Sequence, residues 1–291
     1  MWCGEMLLSL PRSYTERSLF TLWVVAFFLF LFAPLLVVTA FAFNAAPFPS
    51  LPWTGFTWDW FVGTGPRVGV FSDNELLKSI GTSLKVASAV TLITVMLGLS
   101  NAFLIERCRF PGRGILYVVM LWPLVIPGVI LGVSILLFSS MIANWAQEFG
   151  WRLTALRPGL MLVILGQSAF ITTITTLIIL ARLRRFDQSL EEAALNLGAT
   201  KLGAIWTVTL PTIRPAIIGA AIIAFLMSFE NFNTTLILVG SDAPLTIQMY
   251  SQIRQGSTPA INAVSVLLML SSAFLALILV FAERRSTQKS S

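Results

Sequence analysis

Few side chains of this sequence can do chemistry, and what is missing narrows the choice as much as what is present. Histidine is absent, which removes histidine triads, histidine metal ligands and histidine proton relays. Cys3 and Cys108 are the two cysteines and imply neither a disulfide framework nor a metal site. No G-x-x-x-x-G-K-S/T run occurs, and GATKLG lacks both the glycine spacing and the terminal pair, so ATP chemistry has no seat on this chain. The groups left in unusual company are carboxylates. Glu191 and Glu192 open a polar island, SLEEAALNLGATKLGAIWTVTLP at residues 189–211, between two long apolar runs; Glu230, in SFENFNTTLILVG, is the single carboxylate inside a predicted span. Charges so placed pair with a partner or stabilise a cation, and no catalytic residue is expected.

A charge at the middle of a bilayer costs about 2.5–3.5 kcal/mol on the milder insertion scales, so Glu230 must face protein or a water-filled path. Counted along the helix, it lies roughly one turn from the middle of its span toward the outer side. Two roles fit. With Asn231 and Asn233 it lines a path that favours a cation; alternatively, with Ser228 beside it, it joins a structural hydrogen-bond network with the fourth span or a second subunit. The fourth span carries Gln167, Ser168, Thr172, Thr173, Thr175 and Thr176, a polar face of the kind that often does no more than bond membrane helices together. Gln167 is grouped with Glu230, Asn231 and Asn233 as a candidate lining of the path.

The island reads as two short helices joined by a bend and lying across a membrane face. Ser189 followed three residues later by Glu192 has the pattern of a capping box, and Leu190, Ala193, Ala194 and Leu197 share one helical face. Gly198 ends this helix in a left-handed cap, Thr200 caps a second turn carrying Leu202, Ile205, Trp206 and Thr209, and Pro211 is expected to close it. An amphipathic helix resting on lipid headgroups is the competing reading, but Glu191 and Glu192 would be repelled by an anionic leaflet.

Those residues must be positioned by membrane helices. With 56% hydrophobic and 11% charged residues, an ordinary soluble domain is excluded. Apolar runs predict six spans, at residues 19–43, 76–105, 114–139, 159–181, 212–240 and 259–282, each longer than the roughly 20 residues that cross about 30 Å of hydrocarbon. The formal charge of +6 sits at the ends of these runs rather than on one face, which argues for topology and against nucleic acid. Thirteen Lys and Arg, among them Arg12, Arg17, Arg107, Arg184 and Lys289, fall on the side of the termini; five, Arg67, Lys78, Arg152, Arg157 and Arg254, fall on the other. That bias places both termini and loop 182–211 in the cytosol.

Residues 1–18 then form a cytosolic segment and 284–291 a cytosolic tail, flanking a first span at 19–43 and a core of five spans at 76–283. A signal peptide, suggested by Ala40 and Ala42, is disfavoured because the apolar run exceeds a typical signal core. The external loop 44–75, with Pro47, Pro49, Pro52, Trp53, Trp58 and Trp60, suits either an interfacial anchor or contact with a soluble partner. Pro123, Pro127, Gly128 and Gly132 predict a kink in the third span, for gating or for close helix packing.

Glu192, Ala193, Ala194, Gly198, Val208, Leu210 and Pro211 match E-A-A-x3-G-x9-I/V-x-L-P, the EAA loop of ABC importer permeases, and LWPLVIPGVILGVSILLF in the third span resembles the same family. The resemblance covers about residues 76–283. Within the family, SFENFNTTLILVG followed by LTIQMYSQIRQGSTPAINAVSVLL is similar to the spermidine/putrescine permeases. Thr82 in GTSLKVA departs from the Asn common in related permeases.

What the resemblance implies is an all-α polytopic protein of the bacterial inner membrane with six transmembrane helices and a cytosolic coupling helix. Glu191, Glu192, Ala193, Ala194, Gly198, Leu210 and Pro211 would couple it to a separate ATPase: Glu192 facing basic groups there, Gly198 permitting the bend. It further implies a dimer of ABC ATPase subunits holding ATP and magnesium, a second permease that is a paralogue, and an external binding protein that delivers a polyamine. Relatives that handle ferric iron, thiamine, opines or phosphonates define the alternative substrates. A transporter driven by an ion gradient would show paired intramembrane charges and repeated broken helices. Glu230 has no such partner, and no inverted repeat is evident. An assembly factor without transport activity is a third class.

Overall fold

A computed structural model describes residues 14–63, 67–256 and 258–288. Its long elements are helices: α1 (Tyr14–Ala42), α2 (Asn74–Arg107), α3 (Arg113–Val125), α4 (Gly128–Glu148), α5 (Leu160–Arg184), α6 (Ser189–Asn196), α7 (Lys201–Phe229), α8 (Asn233–Leu238), α9 (Leu245–Gln255) and α10 (Pro259–Gln288). The all-α expectation holds. Five of them, α1, α2, α4, α5 and α7, are long and apolar enough to cross a membrane, while α3 and the Pro259–Phe274 part of α10 are shorter apolar helices. Arg12 and Lys289, used in the charge count, and Cys3 lie outside the described residues.

The chain divides into two compact units, one of residues 1–72 and 257–268, the other of residues 73–256 and 269–291. In the first, α1 turns apolar side chains outward along its length, as a lipid-facing helix does. The expected Pro- and Trp-rich loop is an ordered cap built on buried Asn44. Its Oδ1 accepts from the Ala46 and Thr54 N–H groups, and its carbonyl accepts from Trp60 Nε1 at 2.7 Å. The rings of Phe43, Phe56, Trp58 and Phe61 pack together beside it.

In the second unit the core lies between α2, α5 and α7. Asp73 starts α2 by accepting from the Glu75 and Leu76 N–H groups, and the helix runs 34 residues, about 50 Å at 1.5 Å per residue. Near its Arg107 end, Ala102 and Ile105 pack on Ile179, Leu180, Leu183, Phe186 and Ile213; nearer Asp73, Val86 and Val90 pack on Leu162, Val163, Ile171 and Ala224. Between these apolar layers α2 and α5 nearly touch. A Cβ at Gly98 would collide with Thr175 Oγ1, and that hydroxyl donates to the Thr94 carbonyl at 2.7 Å. Thr173 likewise donates to the Met120 carbonyl of α3 at 2.7 Å. Such bonds between membrane helices contribute about 0.6 kcal/mol each. Thr173 and Thr175 of the fourth-span polar face therefore bond helix to helix.

Three boundaries differ from expectation. The third span is not one kinked helix: α3 stops at Val125 and α4 starts at Gly128, because Pro127 has no N–H to continue the ladder and pushes Ile126 into extended backbone. The fifth span begins earlier and ends earlier than residues 212–240, at Lys201 and Phe229, with α8 following a break. Pro211 does not close a helix but lies within α7. The preceding turn, Ile205–Thr209, is π-helical, with the Leu210 N–H reaching the Ile205 carbonyl; the wider turn accommodates the ring and its missing donor.

Candidate functional site: the polar loop and two broken helices

The loop after α5 is built from caps. Asp187 Oδ1 accepts from the Ser189 N–H at 2.9 Å, and that bond holds the Asp187 carboxyl below its ordinary range. The capping box does not form: the Glu192 N–H donates to the Gln188 carbonyl, and Asp187 supplies the cap that Ser189 was expected to provide. At the other end, the Gly198 N–H donates to Leu195 and the Ala199 N–H to Ala194, with Gly198 at φ +92°. This paired arrangement satisfies the last carbonyls of α6 and requires the left-handed residue. Thr200 Oγ1 then accepts from the Gly203 N–H at 3.0 Å, so the second cap falls where its sequence places it.

No residue of α6 is buried. Leu190, Leu195, Leu197, Leu202 and Trp206 are exposed, as are Glu192 and Ala193, while Ala194 is half-buried. Val208 and Leu210 turn the other way and pack on the core at the Arg107 end of α2. Pro211 is exposed. Glu191 parts company with Glu192. Its Oε1 lies 3.0 Å from Arg107 on α2 and accepts from the Thr209 hydroxyl on α7, and its side chain is 19% exposed. A partner 84 residues away in sequence left no local signal.

The second group of candidates sits where helices break. Glu230 is not inside a helix: it caps the end of α7, with its N–H on the Leu226 carbonyl. The break follows from Asn231, whose Oδ1 accepts from the Thr235 N–H and hydroxyl at 3.2 and 3.0 Å and so competes with continuation of the helix. The two breaks adjoin. Thr234 Oγ1 donates to the Gly128 carbonyl, and a Cβ on Gly128 would stand 3.2 Å from Asn233 Cβ. Glu230 and Asn233 are exposed, and no hydrogen bond or ion pair of the Glu230 carboxylate occurs among the described residues. Gln167 does not join them. It is buried, its amide donates to Thr235 Oγ1 at 2.8 Å, and its oxygen accepts from the Ser228 hydroxyl, so both ends bond within the chain.

Sequence reasoning also passed over α9, in the stretch left between the fifth and sixth spans. Pro244 precedes it, the Leu245 N–H donates to Ser83 Oγ at 2.8 Å, and Gln248 donates to Glu75. Among the described residues no cluster of three or more His, Cys, Asp or Glu could hold a metal ion.

Apolar helices wound on a polar-bonded core, with an amphipathic loop standing out from one end and two helices broken side by side, define a polytopic membrane transport protein. The chain belongs to the family of binding-protein-dependent transport system inner membrane components, whose profile matches residues 91–288, and it is a permease subunit of an ABC importer. PotI of Escherichia coli (strain K12), a putrescine transport system permease protein, is 32% identical over 244 residues, covering 83% of this chain and 82% of PotI. PotC of the same strain, a spermidine/putrescine transport system permease protein, is 24% identical, covering 90% and 91%. A bacterial ABC transporter involved in the import of the acidic polysaccharide alginate shares the fold at a TM-score of 0.72 and 20% identity, covering 99% of this chain and all of that one.

Proposed function

We propose that this chain forms one half of the membrane path of a polyamine importer, with putrescine or spermidine as substrate. The observation that carries the substrate is the likeness to PotI over most of both chains. The fold alone does not choose it, since the alginate transporter shares that fold. Physical support comes from the broken helices, where the Glu230 carboxylate, which has no ion pair among the described residues, stands with Asn231 and Asn233. A flexible polycation is stabilised by such a lining.

The remaining parts follow from the family pattern. Two ABC ATPase subunits bind ATP and magnesium and seat α6, with Glu192, Ala193 and the exposed apolar residues of the loop turned toward them. A second, paralogous permease completes the path and an external binding protein delivers substrate. The count of thirteen against five Lys and Arg supports a cytosolic position for the termini and the α6 loop, on the ATPase side. Closure of the ATPases draws α6 along and tilts the spans to open outward; hydrolysis restores the inward-facing state.

Purification of the chain from its native membrane in mild detergent, with mass spectrometry of its companions, tests this reading. An ATPase, a second six-span chain and a binding protein carrying a polyamine are expected. A binding protein loaded with an anion or a metal would overturn the substrate, and a chain that carries no ATPase would overturn the assembly.

A further inference from the structure

A helix that transmits force must be held to what it moves, and α6 buries no residue in this chain. Its two caps, Asp187 and Gly198, join it only to neighbouring residues along the chain. Among the described residues, the side-chain bonds that tie α6 to other helices are those of Glu191. One oxygen, Oε1, takes both the Arg107 guanidinium of α2 and the hydroxyl of Thr209, in the π-turn of α7. Thr209 is fully buried, and its hydroxyl leaves the usual threonine habit in a helix: Thr207 donates back to the Gly203 carbonyl and Thr212 to Val208, whereas Thr209 donates to the carboxylate. Arg107 lies over the Phe186 ring at 5.6 Å, with its Nε buried and unpartnered. Its neighbour Glu106 binds Arg113 at the start of α3 and Arg184 at the end of α5, at 3.7 and 3.3 Å. The same end of α2 is thereby fastened to α3, α5, α6 and α7.

We propose that Arg107, Glu191 and Thr209 form a strut that carries displacement of α6 into α2 and α7 together, making Glu191 a positioning residue rather than an ATPase contact. The proposal rests on the importer reading above. The ion pair is only partly buried, so its net stability is small, but its geometry joins the outward helix to two core helices. The π-turn gives the strut its place of action, because an over-wide turn ahead of Pro211 is where α7 can bend without losing a regular ladder.

The test uses the whole importer, reconstituted in vesicles, comparing putrescine taken up with ATP hydrolysed. Glu191→Gln, Arg107→Gln and Thr209→Val are each expected to retain the ATPase on purification yet to lower uptake per ATP roughly fivefold, within the range by which single residues along such networks alter coupling. The reversed pair, R107E with E191R, is expected to recover the ratio that either change alone destroys. A residue that served folding alone would lower the yield of complex and leave the ratio untouched. ATPase retained with wild-type uptake per ATP in all three variants overturns the strut and spares the importer reading. A wild-type complex that holds no ATPase overturns both.

Discussion

Adjacent residues on a helix point about 100° apart, and that angle gives Glu191 and Glu192 different work. Glu191 is turned into the chain and satisfied there by Arg107 and Thr209, while Glu192 is turned out and free to meet a basic group on another protein. Glu192→Lys is therefore expected to abolish uptake while the protein still accumulates in the membrane; normal uptake would remove Glu192 from the ATPase contact. At the broken helices, Glu230→Gln keeps the shape and removes the charge. It is expected to raise the polyamine concentration for half-maximal uptake about tenfold, as loss of one charge-assisted hydrogen bond does, with the ATPase still bound. Unchanged kinetics across concentrations would take Glu230 off the path. The two sites differed in how far they could be read. Glu192 and Gly198 announced themselves because their motif is contiguous, whereas the partner of Glu191 lies on another helix and Gln167 gave no sign of being satisfied on both ends by Ser228 and Thr235.

At the scale of elements, the apolar runs marked the spans, because composition alone sets whether a segment is stable in hydrocarbon. Boundaries were harder, since they depend on competition between near-equal local choices. Asn231 ends α7 with a side-chain bond that a hydropathy window cannot register, and Pro211, expected to stop a helix, is absorbed by a π-turn that depends on the turns packed around it. The amphipathic α9 was missed because it is short and held from outside by Ser83 and Glu75. The bend after α6 was legible because one position demanded a left-handed residue. A Cβ at Gly198 meets nothing within 4 Å, so the cost of replacing it is conformational, about 1–2 kcal/mol for a branched residue. Gly198→Asn is expected to keep most of the uptake and Gly198→Val to lose it, at equal protein levels. Equal uptake in the two would mean that the direction of the bend does not matter to coupling.

For the whole molecule the question is what moves it. The described chain has an exposed apolar loop at one end, core helices fastened together beside it, and an uncompensated carboxylate where α3–α4 and α7–α8 break side by side. A protein driven by an ion gradient needs its own paired ionisable groups in the membrane; a permease driven from outside needs a handle, and α6 has the form of one. The chain's family is that of binding-protein-dependent transport components. The deciding measurement is labelled putrescine uptake into vesicles holding the purified complex and its binding protein, with ATP available only to the ATPase side. Uptake that requires ATP and survives collapse of all ion gradients is the predicted result. Uptake driven by an imposed ion gradient without ATP would contradict it and recast Glu230 as an ion site.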